Sequence, residues 1–145
     1  MRTPLLIVLA LLSCLPGARA APAADGGTVD VEVVGIERAA GQILVALCTA
    51  GEYLSDDCSH GGAAPAVGER GVVSIRDVPP GRYAVLVLQD LDGDQRLKRN
   101  LIGIPREPVG FGNDAPIRFG PPSFEAAAID VGPAGARTRV TLRYR

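Results

Sequence analysis

The densest chemistry in this sequence is an acidic run, Asp90-x-Asp92-x-Asp94, with three carboxylates at alternate positions. Calcium loops deliver oxygen ligands in this way from positions 1, 3 and 5, and a turn at Gly93 folds the three toward one point. The main-chain carbonyl of Arg96 supplies a fourth oxygen in this reading, and Leu97 falls where such loops place an apolar plug. Against it, Leu101 occupies the position at which a calcium loop carries its bidentate glutamate, and Arg96, Lys98 and Arg99 bring positive charge close. The competing reading makes Asp90, Asp92 and Asp94 turn-formers that cap backbone N–H groups while Gly93 takes a positive φ. Both readings stay open on the sequence.

A second candidate lies just downstream, in residues 100–113. Gly103, Gly110 and Gly112 with Pro105 and Pro108 make a stiff, irregular loop able to present Arg106, Glu107, Phe111 and Asn113 to a ligand. The alternative is a loop folded across the end of the domain and anchored by Ile102, Ile104 and Phe111. Phe119 and Phe124 are read as core residues.

Catalytic groups are sparse. His60 is the single histidine, it sits in the glycine-rich Ser59-His60-Gly61-Gly62, and no spacing singles out Ser55, Ser59, Ser74 or Ser123 as its nucleophile. Asp56-Asp57 are neighbours on a polar stretch and read as solvated charges. The expectation is a non-catalytic protein.

The compartment follows from the first residues. Met1-Arg2, an apolar run over residues 4–15, and small residues at Ala18 and Ala20 before Ala21 have the order of a secretory signal peptide covering residues 1–20. The run is shorter than the ~20 residues that span a bilayer, so no transmembrane segment is expected once it is removed. Leu11-Leu12-Ser13-Cys14 offers a competing lipoprotein site at Cys14. The expected location is periplasmic or secreted, with residues 21–27 a flexible leader and residues 28–145 one domain. Export makes Cys48 and Cys58 an even pair in an oxidising environment, so a disulfide between them is the default. Cys48, Cys58 and His60 as a metal triad is the alternative, but the spacing matches no zinc motif. Lys and Arg total 15 against 16 Asp and Glu, a balance that does not suit nucleic acid.

The elements that must position these residues are strands. Period-two alternation marks residues 28–36, with Val29, Val31 and Val33 set against Asp30 and Glu32. Residues 42–48 form an apolar run after the turn signal Ala39-Ala40-Gly41, and the two together read as a hairpin. Residues 71–78 end at Pro79-Pro80-Gly81, which stops a strand because proline lacks the ladder donor. Residues 82–89 are the most apolar run of the domain and predict a central strand covered on both faces. Residues 124–131 predict a weaker strand, with helix as the alternative, and residues 137–145 alternate arginine with Thr138, Val140, Leu142 and Tyr144 as a half-buried edge strand. Six or seven short strands without a long amphipathic helix predict an all-β sandwich, with an open barrel second.

Several of these segments share a recognisable order. Pro79-Pro80-Gly81-Arg82-Tyr83-Ala84-Val85 runs into Gln89-Asp90-Leu91-Asp92-Gly93-Asp94, then Asn100-Leu101-Ile102-Gly103-Ile104-Pro105-Arg106-Glu107-Pro108-Val109-Gly110-Phe111-Gly112-Asn113, then Pro121-Pro122-Ser123-Phe124-Glu125-Ala126-Ala127. This order resembles the bacterial family called domain of unknown function 2141, over residues 29–131 and most specifically over residues 81–124. The resemblance implies export and a β-sandwich of immunoglobulin or prealbumin type with about seven strands; it implies no activity. Where the family pattern carries a glycine and then an aspartate in the acidic loop, this chain has Gln95 and Lys98.

The reading that results is an exported binding module with calcium or a small ligand on its loops, or else a structural component that pairs with an envelope protein. Intact mass of the exported protein checks its first step: a chain beginning at Ala21 is expected, and a lipid-modified Cys14 would contradict it.

Overall fold

The computed structural model describes residues 26–95 and 107–144. Eight strands run in the order β1 (Gly27–Val34), β2 (Gln42–Cys48), β3 (His60–Pro65), β4 (Arg70–Val78), β5 (Gly81–Asp90), β6 (Val109–Phe111), β7 (Ala128–Val131) and β8 (Gly135–Thr141). One sheet has the order β4-β1-β8; the other has β3-β2-β5-β6, with β7 also paired to β5. The protein is all-β, and the expected sandwich holds, with eight strands among the described residues where about seven were expected.

Alternation builds the core directly. Val29, Val31 and Val33 on β1, Val73 and Ile75 on β4, and Val140 on β8 all turn inward from the smaller sheet. Ile43, Val45 and Leu47 on β2 meet them with Tyr83, Val85 and Val87 on β5. Each such side chain, fully buried, contributes roughly 1.5–3 kcal/mol of transfer free energy. The outer face of β1 carries Asp30 and Glu32, which pair with Arg137 at 3.4 Å and Arg139 at 2.9 Å on the parallel strand β8.

The hairpin reading of residues 28–48 is corrected. β1 and β2 lie in different sheets, and residues 35–41 carry the chain across the end of the sandwich. Alternation fixes which residues of a strand face the core but not which strand lies beside it; the partners of β1 come from 40 and 100 residues away in β4 and β8. The crossing is held by a buried polar side chain. Gln89 donates to the Arg38 and Ala40 carbonyls at 2.7 and 2.9 Å, and its own oxygen accepts from the Tyr144 hydroxyl at 2.8 Å.

β3 has no counterpart in the sequence reading, because His60-Gly61-Gly62-Ala63-Ala64-Pro65 shows no hydrophobic alternation; its register against β2 supplies the strand. Residues 124–131 divide between both alternatives. Ser123 caps a single helical turn, Phe124–Ala127, and Ala128–Val131 then pairs with the start of β5. Phe119 is corrected as well: it is fully exposed, while Phe124 is half-buried edge-on against Tyr53 at 5.9 Å between ring centroids. The predicted central strand is confirmed, since β5 has β2 on one side and β6 and β7 on the other.

One device ties the two sheets together and another closes a loop within the larger one. Val109 and Arg143 exchange main-chain hydrogen bonds of 3.3 and 2.9 Å, joining β6 to the chain just past β8. That approach requires glycine at 110, since a Cβ there would lie 2.5 Å from the Val140 side chain and 2.7 Å from the Thr141 carbonyl oxygen. The second device is the disulfide between Cys48 and Cys58, which closes the β2–β3 connection. Within that loop the Glu52 carboxylate accepts from Thr49 N–H at 2.9 Å and from the Ser59 hydroxyl.

With a sequence separation of 10 between the cysteines, reduction should cost about 2–3 kcal/mol from restored unfolded-state entropy. Urea unfolding with and without reductant reads this as a lower midpoint, and coincident curves would contradict it.

Candidate acidic binding site

The last residue of β5 is Asp90, which is fully buried. A buried carboxylate is costly unless its oxygens are bonded, and the following turn is built to do this. One oxygen accepts from Gly93 N–H at 2.8 Å; the other accepts from Gln95 N–H at 3.0 Å and from the Gln42 side-chain amide at 3.1 Å. Gly93 and Gln95 both take positive φ, 79° and 57°, as the chain turns tightly around Asp90. Burial pushes the Asp90 carboxyl up, but the hydrogen bonds from Gln42, Gln95 and Gly93 prevail and hold it below its ordinary value. The capping reading of the acidic run is therefore right for Asp90, and Asp92 takes a similar part, accepting from Asp94 N–H at 3.3 Å.

The turn-former reading does not account for Glu107. β6 pairs with β5 in the register Leu86↔Phe111, Val87↔Gly110, Leu88↔Val109, and Gln89 N–H continues it by donating to the Pro108 carbonyl at 2.9 Å. One step further sets Glu107 across from Asp90, while Gln42 lies across from Asp90 on the other side. Gln42, Asp90 and Glu107 thus form a row over three adjacent strands. One Glu107 oxygen accepts from Leu91 N–H at 3.0 Å. The other is buried without a hydrogen-bond partner among the described residues, on a residue only 7% exposed.

One carboxylate oxygen from each of Asp90, Asp92 and Glu107 lies within 4.8 Å of the other two. Two members of the cluster are buried and Asp92 is exposed, which gives a bowl with an open side. Like charges set opposite each other destabilise a sheet, and an all-oxygen donor set of this kind suits a hard divalent cation rather than zinc or copper.

Of the sequence-derived metal set, Asp90 and Asp92 come together with Glu107, and Asp94 is outside that cluster. The proposed ligand Arg96 lies outside the described residues, as does Arg106 from the ligand-presenting set. Of that second set, Phe111 is buried among Ala84, Val109, Ala115 and Ala127. Asn113 spends its side-chain amide on the Ala126 and Ala128 carbonyls at 3.2 and 2.8 Å. Both fit the packing alternative. No spacing rule connects Glu107 to Asp90; the signal available was Pro108-Val109 read as the start of a strand returning along β5.

Fold and site together define a small β-sandwich that carries an acidic bowl at one end of its larger sheet. The chain belongs to a family of uncharacterised proteins conserved in bacteria, DUF2141, whose model matches residues 31–140. A search of curated proteins finds no similar chain, and no solved structure matches.

Because the folded-state value of Asp90 lies below its ordinary 3.8, the unfolded chain protonates first as pH falls. The stabilisation from Asp90 is complete above that ordinary value and drains away as pH drops through the folded one. Replacing Asp90→Asn should therefore flatten the acid limb of stability below about pH 4. Urea unfolding in chelator at stepped pH checks this, and an unchanged acid limb would contradict it.

Proposed function

We propose that this protein is a non-catalytic binding module of the periplasm or cell exterior, and that Asp90, Asp92 and Glu107 take up a calcium ion. The observation that carries the reading is the second oxygen of Glu107, buried and without a hydrogen-bond partner among the described residues, on a residue whose carboxylate clusters with two others. A lone pair buried in this way costs free energy. A cation in the bowl would satisfy it and cancel the mutual repulsion of the three carboxylates. Calcium is favoured over magnesium because it accepts an irregular set of oxygen ligands at longer and more variable distances, whereas magnesium demands a near-ideal octahedron.

The non-catalytic reading is supported by the structural contacts of His60 and the serines. His60 packs edge-on against Tyr83, with ring centroids 5.7 Å apart. Ser59 bonds to Glu52, Ser74 to Asp30, Ser55 accepts from Asp57 N–H and Ser123 caps the helical turn. The disulfide agrees with an extracytoplasmic location, and no described helix is long and apolar enough to cross a membrane.

Calorimetric titration of the chelator-treated, processed protein with calcium should give saturable heat, with a dissociation constant on the order of 10⁻⁴–10⁻³ M as for extracellular calcium modules. Glu107→Gln and Asp92→Asn should each weaken it about tenfold or more, a loss of at least ~1.4 kcal/mol, while Asp94→Asn leaves it unchanged. A flat trace at millimolar calcium, or equal loss on replacing Asp94, would refute the assignment.

A further inference from the structure

The larger sheet ends at β3, and the pairing of β3 with β2 decides what its free edge offers. Ala66 N–H donates to the Gly41 carbonyl at 3.2 Å, and the register from Gln42↔Pro65 to Leu47↔His60 runs without a slip. In an antiparallel ladder the residues bonded to one neighbour recur at every second position. His60, Gly62 and Ala64 therefore turn their main-chain groups toward β2, and Gly61 and Ala63 turn theirs away, where both residues are exposed. Pro65 adds a carbonyl but has no N–H.

The edges at β6, β4 and β8 are closed or charged. β6 is joined to Arg143, β4 carries Arg70, Arg76 and Asp77, and β8 carries Arg137 and Arg139. Such charges and closures are how proteins prevent edge-to-edge pairing. From Ser59 to Gly68 there is no Asp, Glu, Lys or Arg, and Val67 beyond the strand is 82% exposed. A shallow groove of about 220 Å³ lies across the β2–β3 pair at the end of β3, lined by Gly41, Gln42, Ala63, Ala64 and Pro65.

We propose that β3 pairs with β3 of a second copy of this chain, antiparallel about a two-fold axis at Gly62, so that the two larger sheets become one continuous sheet. With Gly61 opposite Ala63 of the other copy, and Ala63 opposite Gly61, the outward N–H and C=O of both residues are used in both copies. Sliding the pair to set Pro65 against Gly61 would leave a carbonyl unmatched, which fixes the register. A two-fold axis sets the strand against itself, so each charge on it would meet its like; this strand carries none. The glycines and alanines let the two backbones close to strand spacing.

Sedimentation equilibrium of the processed protein across a concentration series, in chelator so that cation binding plays no part, tests this. The wild type should show a reversible monomer–dimer equilibrium. Ala63→Pro removes an outward donor that faces solvent in the monomer, a position where an edge strand accepts proline, and Ala63→Lys places like charges near the axis. Each should weaken association about tenfold or more, with thermal melts of the monomer showing the fold retained. A wild type that stays monomeric at the highest concentration, or two variants that dimerise as the wild type does, would overturn the proposal.

Discussion

The structure turns on one buried negative charge at the end of its central strand. Asp90 has no water to solvate it, so its oxygens must be met from within, and the requirement reaches in three directions. Gln42 on β2 must lie across from it, the residues after β5 must fold back to present the N–H groups of Gly93 and Gln95, and the turn must accept positive φ at both. The tight acidic loop is thus a consequence of solvating Asp90.

The rest of the sandwich can be understood as what keeps the neighbours of Asp90 in place. Glu107 faces it only because β6 holds its register on β5, and a slip of one residue would turn Glu107 to the opposite face. β6 is a strand of three residues and could not hold that register alone. It is fixed by the exchange of hydrogen bonds between Val109 and Arg143, by the close approach at Gly110 to β8, and by burial of Phe111. At the same end Gln89, one residue before Asp90, ties the crossing of residues 35–41 to Tyr144. A core of β-branched side chains supplies the stability, and these few polar contacts determine where the charged groups stand.

How much of this was legible depended on whether the signal was local. Val29, Val31 and Val33 announce both a strand and its buried face, and the run from Tyr83 to Leu88 announces a central strand, because those properties belong to consecutive residues. The acidic run was visible for the same reason. The assignment of β1 and β2 to different sheets was not, since alternation is blind to partners. β3 was hidden because glycine and alanine carry no hydrophobic pattern. Phe119 was misread because bulk alone does not reveal that a residue lies at a loop tip. Glu107 was noticed, but as part of a separate loop; its place beside Asp90 comes from a register set by residues on both strands.

The account stands on the claim that Asp90, Asp92 and Glu107 are assembled around a cation, and crystallographic anomalous density reports on that without inference from energetics. Crystals grown with calcium and measured at long wavelength should show one peak among the three carboxylates, at about 2.3–2.6 Å from their oxygens and including the second oxygen of Glu107. A map with no peak there, and with that oxygen bonded instead to a protein donor or an ordered water, would contradict it.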